Sequence, residues 1–286
     1  MELVFRESLT EEQKNRVLTS DKYENWFNSL NENSVIEKIT IHKVHFFGDR
    51  IGFIDVEATT KVNDKYVPGI SFLRGDSVAI LIVLKVDDEE YTIFTNEFRT
   101  PVAKTIKSIP AGMIDNGDVK STAIKELQEE VDPDFSIDVK DLVLLDKSYT
   151  STGESDQVLF IYYIEKEITR EQLESYQGKV TGAEDEKEEI VLSFGKLNEL
   201  KNCDTAVSRL AYYTYLEAKS SEVSYVKSSL DNKEYLVRNM PDMQQAANLL
   251  SQLNINLTKL IKQLDSNCKN SNNNYSEINY FFSVIL

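Results

Sequence analysis

The chain has 286 residues, 41% hydrophobic and 28% charged, enough for one large domain or two smaller ones with a packed core. Its net charge of -16 and pI near 4.7 argue against an extended nucleic-acid or anionic-membrane surface, which needs basic residues. Two distant cysteines, Cys203 and Cys268, match no metal or redox spacing and read as reduced thiols of a cytoplasmic protein, and neither a signal peptide nor a membrane span is visible.

In chain order, residues 1–33 are polar, with a helical look over Glu11 to Leu30. Ile39 to Phe46 alternates apolar and polar residues, as a half-buried strand does. Ile51 to Ala58 repeats the signal after Gly48-Asp49, and Tyr66 to Leu73 repeats it after Asn63-Asp64. Val78 to Leu84 is continuously apolar, a strand buried on both faces, and Tyr91 to Phe94 is its hairpin partner across Asp87-Asp88.

Residues 119–131 predict a helix between Asp118 and Asp132-Pro133. Strands follow at Asp141 to Asp146, Val158 to Ile164 and Ile190 to Phe194, then a closing helix over Thr205 to Lys219 with Leu210, Tyr213 and Leu216 on one side. This order predicts a mixed α/β sandwich and not a run of βαβ units. Beyond Ser220, Val223 to Val237 reads as a hairpin around Asp231-Asn232. Pro241 opens an amphipathic helix striped by Met243, Ala247, Leu250, Leu257, Ile261 and Leu264, and Asn270 to Asn274 is low-complexity.

The chemistry is concentrated in Ile109 to Val131. Glu126, Glu129 and Glu130 stand at i, i+3 and i+4 and so share one helical face. Like charges at that spacing repel, and a hard cation reverses the sign. Magnesium takes carboxylate oxygens and completes its shell with water and phosphate oxygens. In a chain with 48 acidic residues such a run is also an ordinary solvated helix face. Context favours the metal: a Pro110-Ala111-Gly112 loop after a strand, a turn at Gly117, then the carboxylate helix.

The stretch resembles the Nudix box: a glycine, five residues, an acid, seven residues, then Arg-Glu-aliphatic-x-Glu-Glu-x-Gly. Gly112 matches the first glycine, Asp118 the acid, and Glu126, Glu129 and Glu130 the glutamates. The spacer before Lys125 is one residue short, Lys125 replaces the arginine and Asp132 the last glycine. Val44 to Ala58, Val67 to Val83, Phe98 to Lys104 and Gln177 to Gly182 are similar to plant ADP-glucose pyrophosphatase-type Nudix enzymes, so the likeness covers roughly residues 35–219.

The resemblance implies an α/β (α+β) fold: a Nudix α/β/α sandwich with a mixed sheet, preceded by an N-terminal antiparallel β subdomain and followed by a helical tail. The domains are then residues 1–75, contributing to a homodimer and to the nucleoside pocket, residues 76–220, the hydrolase domain, and residues 221–286, the extension.

It also implies a site. Glu126 and Glu130 are principal magnesium ligands, Glu129 a further ligand or catalytic bridge, and the Ala111 carbonyl a backbone ligand; manganese is a possible substitute. In the acidic loop Glu184 to Glu189, Glu188 aligns as ligand and Glu186 as base, with other registers open. Arg99 clamps a phosphate. Ser151 to Asp156, with Gly153, resembles the family's Ser-Pro-Gly substrate loop, Thr152 standing in place of the proline. His42 and His45 match no catalytic position, and Phe46 and Phe47 are core residues before they are base-stacking ones. The implied reaction is hydrolysis of an ADP-sugar, ADP-ribose or ADP-glucose, to AMP and a sugar 1-phosphate, with no role for nucleic acid or membrane. The alternatives are another diphosphate-linked nucleotide such as an mRNA cap, a catalytically weak Nudix fold that binds nucleotides, and an interaction protein built on the 241–265 helix.

Overall fold

The structure, a computed structural model, describes residues 1–30, 33–48, 50–114, 118–135, 137–183, 188–221, 223–227 and 234–238. Contacts divide the chain into a unit Met1–Ala218 and a unit Lys219–Leu286. Among the described residues, no helix is long and apolar enough to cross a membrane.

Two sheets carry the first unit. The N-terminal one holds β1 (Glu2–Phe5), β2 (Ser34–Phe47), β3 (Arg50–Val62), β4 (Lys65–Val67) and β5 (Ile70–Leu73). The Asn63-Asp64 turn between β3 and β4 has φ of 49° and 62°, the left-handed pair that a two-residue hairpin demands. One face buries Ile39, Ile41, Val44, Ile54 and Val56 beneath Val17 and Tyr23 of α1 (Glu11–Leu18) and α2 (Asp21–Asn28). The single helical stretch expected over Glu11 to Leu30 is thus two helices. Ser20 makes the break, its hydroxyl accepting the Tyr23 N–H at 3.3 Å to start α2. β1 is only four residues long and set among polar neighbours. It runs parallel to β2, so the sheet expected to be antiparallel is mixed.

The second sheet holds β6 (Ser77–Val86), β7 (Glu89–Arg99), β8 (Lys104–Ser108), β9 (Ala111–Met113), β10 (Val143–Tyr149), β11 (Val158–Glu167), β12 (Val180–Thr181) and β13 (Ile190–Lys196). Its order is β10-β11-β6-β7-β13-β12, with β8 on β7 and β9 on β6. β6 is parallel to β11 and antiparallel to β7 and β9. Its hairpin with β7 turns on Asp87-Asp88, at φ 50° and 63°.

The two-residue period of β6 builds both cores. Val78, Ile80, Ile82 and Leu84 pack with Ala123 and Leu127 of α3 (Val119–Glu130). Ala79, Leu81 and Val83 pack with Ala211 and Tyr215 of α5 (Ala206–Ser221), which follows the short α4 (Arg170–Ser175). A helix on each face of a mixed sheet makes the expected α/β/α sandwich. Truncating Leu127, fully buried in that contact, to alanine costs about 2–5 kcal/mol. On α5 the buried residues are Ser208, Ala211 and Tyr215, while Tyr213 is 57% exposed. The expected Pro110-Ala111-Gly112 loop is in part strand β9, paired with the start of β6.

The second unit contains a hairpin of β14 (Val223–Lys227) and β15 (Glu234–Arg238), as its alternation predicts. The Asp231-Asn232 turn, the striped helix after Pro241, the Asn-rich stretch and Cys268 lie outside the described residues. So do Asp49 and Gly117.

Candidate active site

The site begins where α3 crosses β9. Asp118 caps the helix, its carboxylate accepting the Ser121 N–H at 3.1 Å. Thr122, Ala123, Leu127 and Glu130 form the buried face. Spacing of about 3.6 residues per turn therefore drives Glu130 inward with the leucine, leaving it 4% exposed. The Ala111 N–H donates to its Oε2 at 3.0 Å. Glu126 lies on Gly112: a Cβ added there would stand 1.9 Å from the Glu126 carboxyl carbon. Only glycine lets the strand approach that carboxylate so closely.

The three glutamates therefore differ in setting. Glu130 is buried, Glu126 and Glu129 are half-buried, and Glu129 forms an ion pair with Lys125 at 3.1 Å. Lys125, in the box-arginine position, is engaged there.

Burial pushes the Glu130 carboxyl well above the usual carboxylate range, and Glu126 and Glu188 push the same way. The Ala111 N–H and Arg99 oppose them. A hard cation would relieve the crowding of like charge around such a buried carboxyl. This donor set, hard oxygens beside a glycine cradle, fits magnesium or manganese in chemistry. Among the described residues, no group of three or more His, Cys, Asp or Glu side chains converges closely enough to hold a metal ion.

Glu188 reaches this corner through the segment after β12. Gly182 N–H donates to the Glu129 carbonyl at 3.1 Å, and Glu188 N–H to the Ala183 carbonyl at 3.3 Å. Glu186 lies outside the described residues.

Arg99 ends β7 and is half-exposed, its guanidinium 2.6 Å from the Glu97 carboxylate. Burial raises the Glu97 carboxyl against the pull of Arg99. Spacing did not single out Glu97, Arg74 or Asp156. The Asp156 carboxylate accepts the Arg74 and Gly75 N–H groups at 2.9 and 3.3 Å, tying the 151–156 loop to the end of β5. Burial, then Arg99, lowers the Arg74 guanidinium. Its Nε is buried without a hydrogen-bond partner, and its charge lies 5.8 Å from the Phe53 ring. The cue was an arginine placed directly after an apolar strand, in Leu73-Arg74-Gly75. Gly153, by contrast, faces open space: a Cβ there would meet nothing within 4 Å.

The histidines hold structural positions, His42 paired with Glu57 at 2.9 Å and His45 against Phe53 and Phe72. Phe46 packs into the N-terminal core. Phe47 is 44% exposed and meets Phe53 edge-on at 5.2 Å.

No protein-family profile matches the chain. It is 32% identical over 213 residues to Nudix hydrolase 14, chloroplastic, of Arabidopsis thaliana, covering 66% of this chain and 68% of that one. It is 31% identical over 132 residues to the ADP-ribose pyrophosphatase of Bacillus subtilis (strain 168), covering 46% and 68%. A solved structure described as an ADP compounds hydrolase shares 17% identity at TM-score 0.47, over 66% of this chain and 96% of that one, too slight a likeness to argue from. At 32% identity across two thirds of the Arabidopsis relative, with the glutamate helix laid over its glycine strand, the chain belongs to the Nudix hydrolase family.

Proposed function

We propose that the protein hydrolyses the diphosphate of ADP-sugars, ADP-ribose or ADP-glucose, to AMP and the sugar phosphate, with magnesium as cofactor and manganese as a substitute. The observation that carries the reading is the Glu130 carboxyl, buried against the Ala111 N–H and crowded by Glu126 and Glu188. Stability gains nothing from such crowding, so function is the better account of it.

In this reading Glu126, Glu130 and Glu188 hold the metal, with Glu129 and the Ala111 carbonyl as further donors. Magnesium, when bound, would supply Lewis acidity at phosphate oxygens and a more acidic water. Glu186 takes the proton of the attacking water. Arg99 grips a phosphate, sharing its guanidinium with Glu97, and the Gly153 backbone lines the sugar side. The exposed aromatics Phe47 and Phe72 of the N-terminal sheet offer faces to the nucleoside and to a second copy of the chain. A cytoplasmic homodimer of domains 1–75, 76–220 and 221–286 completes the reading.

A second reading, a weak Nudix fold kept for nucleotide binding, draws on one observation: Lys125 is engaged by Glu129 where the family pattern has arginine. A panel of ADP-ribose, ADP-glucose, other nucleoside diphosphate sugars and capped RNA, each with magnesium, separates the two. Rapid AMP release from an ADP-sugar supports the first reading. Binding without release supports the second, and preference for capped RNA overturns both.

A further inference from the structure

The last turn of α3 leaves carbonyls without helical donors, and the segment 179–182 supplies partners there. Thr181 Oγ1 donates to the Glu130 carbonyl at 2.6 Å, and Gly182 N–H to the Glu129 carbonyl at 3.1 Å. One residue beyond the helix's C-cap, Lys179 Nζ sits 2.6 Å from Asp132 Oδ2, both side chains about a third exposed. Asp132 is held for that contact, its Oδ1 accepting the Asp134 N–H at 2.9 Å. Asp132 occupies the position where the box pattern ends in glycine, which has no side chain to pair with Lys179.

Gly182 then reverses the chain at φ +116°, where a Cβ would lie 2.7 Å from the Glu188 carbonyl oxygen. That close approach ties the placement of 179–182 on α3 to the placement of Glu188.

We propose that Asp132, Lys179 and Thr181 are positioning residues that set the Glu188 carboxylate against Glu130, and so tune metal affinity from outside the site. The proposal rests on the metal-binding reading above. Lys179 pairs with the Asp132 carboxylate and Thr181 with the Glu130 backbone carbonyl. They act through backbone placement, as partners behind metal ligands do.

The test is manganese binding to the metal-free full-length chain, read as free manganese by electron paramagnetic resonance, with melting temperature measured in parallel. Lys179→Met and the near-isosteric Thr181→Val should each raise the Kd about fivefold, and together at least about tenfold. The exchange Asp132→Lys with Lys179→Asp should restore the Kd to within about twofold of the original, because the pair survives in reverse. Should Lys179→Met fold poorly, Thr181→Val still decides the matter. Kd values within about twofold of wild type in both single variants, while Glu130→Gln abolishes binding, overturn the inference alone. A lowered melting temperature with unchanged Kd overturns it equally. If Glu130→Gln binds manganese as the wild type does, the metal reading falls and takes the inference with it.

Discussion

Two acidic clusters sit toward opposite ends of β6. Toward its C-terminal end, where Val83 pairs with Glu165 and Lys85 with Glu90, the chain meets its own charges. The buried Tyr215 hydroxyl shares its one proton between Glu165 at 2.9 Å and Glu90 at 3.2 Å, and Lys85 Nζ lies 2.8 Å from Glu165. Burial, with those two carboxylates behind it, pushes the Tyr215 phenol far up, so it stays a donor at every physiological pH. Toward the other end, where Ala79 pairs with Ala111, Glu130 receives one amide N–H and is crowded by Glu126 and Glu188. The first cluster is a structural fastening, its two carboxylates met by one lysine and one phenol. The second crowds Glu126 and Glu188 against a buried carboxyl, and in the reading proposed above that crowding serves the chemistry.

The sharpest way to break the comparison is to remove one carboxylate from each cluster. Glu130→Gln keeps an acceptor for the Ala111 N–H and should lower magnesium-dependent hydrolysis about a thousandfold, measured as AMP release. Glu165→Gln should leave that rate within about twofold and cost at most about 1 kcal/mol in denaturant unfolding, since its pair with Lys85 is partly exposed. Equal losses in the two variants would erase the distinction. Gly112→Ala comes next. The nearest atoms the added Cβ meets are the carboxyl end of the flexible Glu126 side chain, so about a tenfold to hundredfold loss of activity is expected with little change in melting temperature. Tyr215→Phe should do the reverse, costing about 1–2 kcal/mol of stability and leaving the rate unchanged.

The smallest effect is a pH slope. Because the folded protein raises the Glu130 carboxyl above its ordinary 4.5, it binds that proton more tightly than the unfolded chain does. Stability of the metal-free protein should therefore fall as pH climbs from 4.5 through the raised value, and level off beyond it. Glu130→Gln should flatten the slope. A slope unchanged by that substitution would place its source elsewhere.

Much of this was legible in sequence because the signals are local. The unbroken apolar β6, the Asn63-Asp64 and Asp87-Asp88 turns and the capped α3 each follow from neighbours in the chain. β1, β9 and α4 are short, four, three and six residues, too brief for periodicity to mark. Arg74 and Asp156 were missed because their meaning lies in a contact across 82 residues, which no spacing rule reaches. The glutamate spacing predicted a shared face. Packing separates the three in setting: Glu130 is buried, Glu126 lies against Gly112 of β9, and Glu129 pairs with Lys125.

The central claim, that the Glu130 corner exists to gather a divalent cation, is tested most directly by calorimetric titration of manganese into metal-free wild type, Glu130→Gln and Glu165→Gln. The account predicts binding by the wild type and by Glu165→Gln with the same affinity, and its loss in Glu130→Gln. Binding that survives Glu130→Gln, or that vanishes equally in both variants, would contradict it.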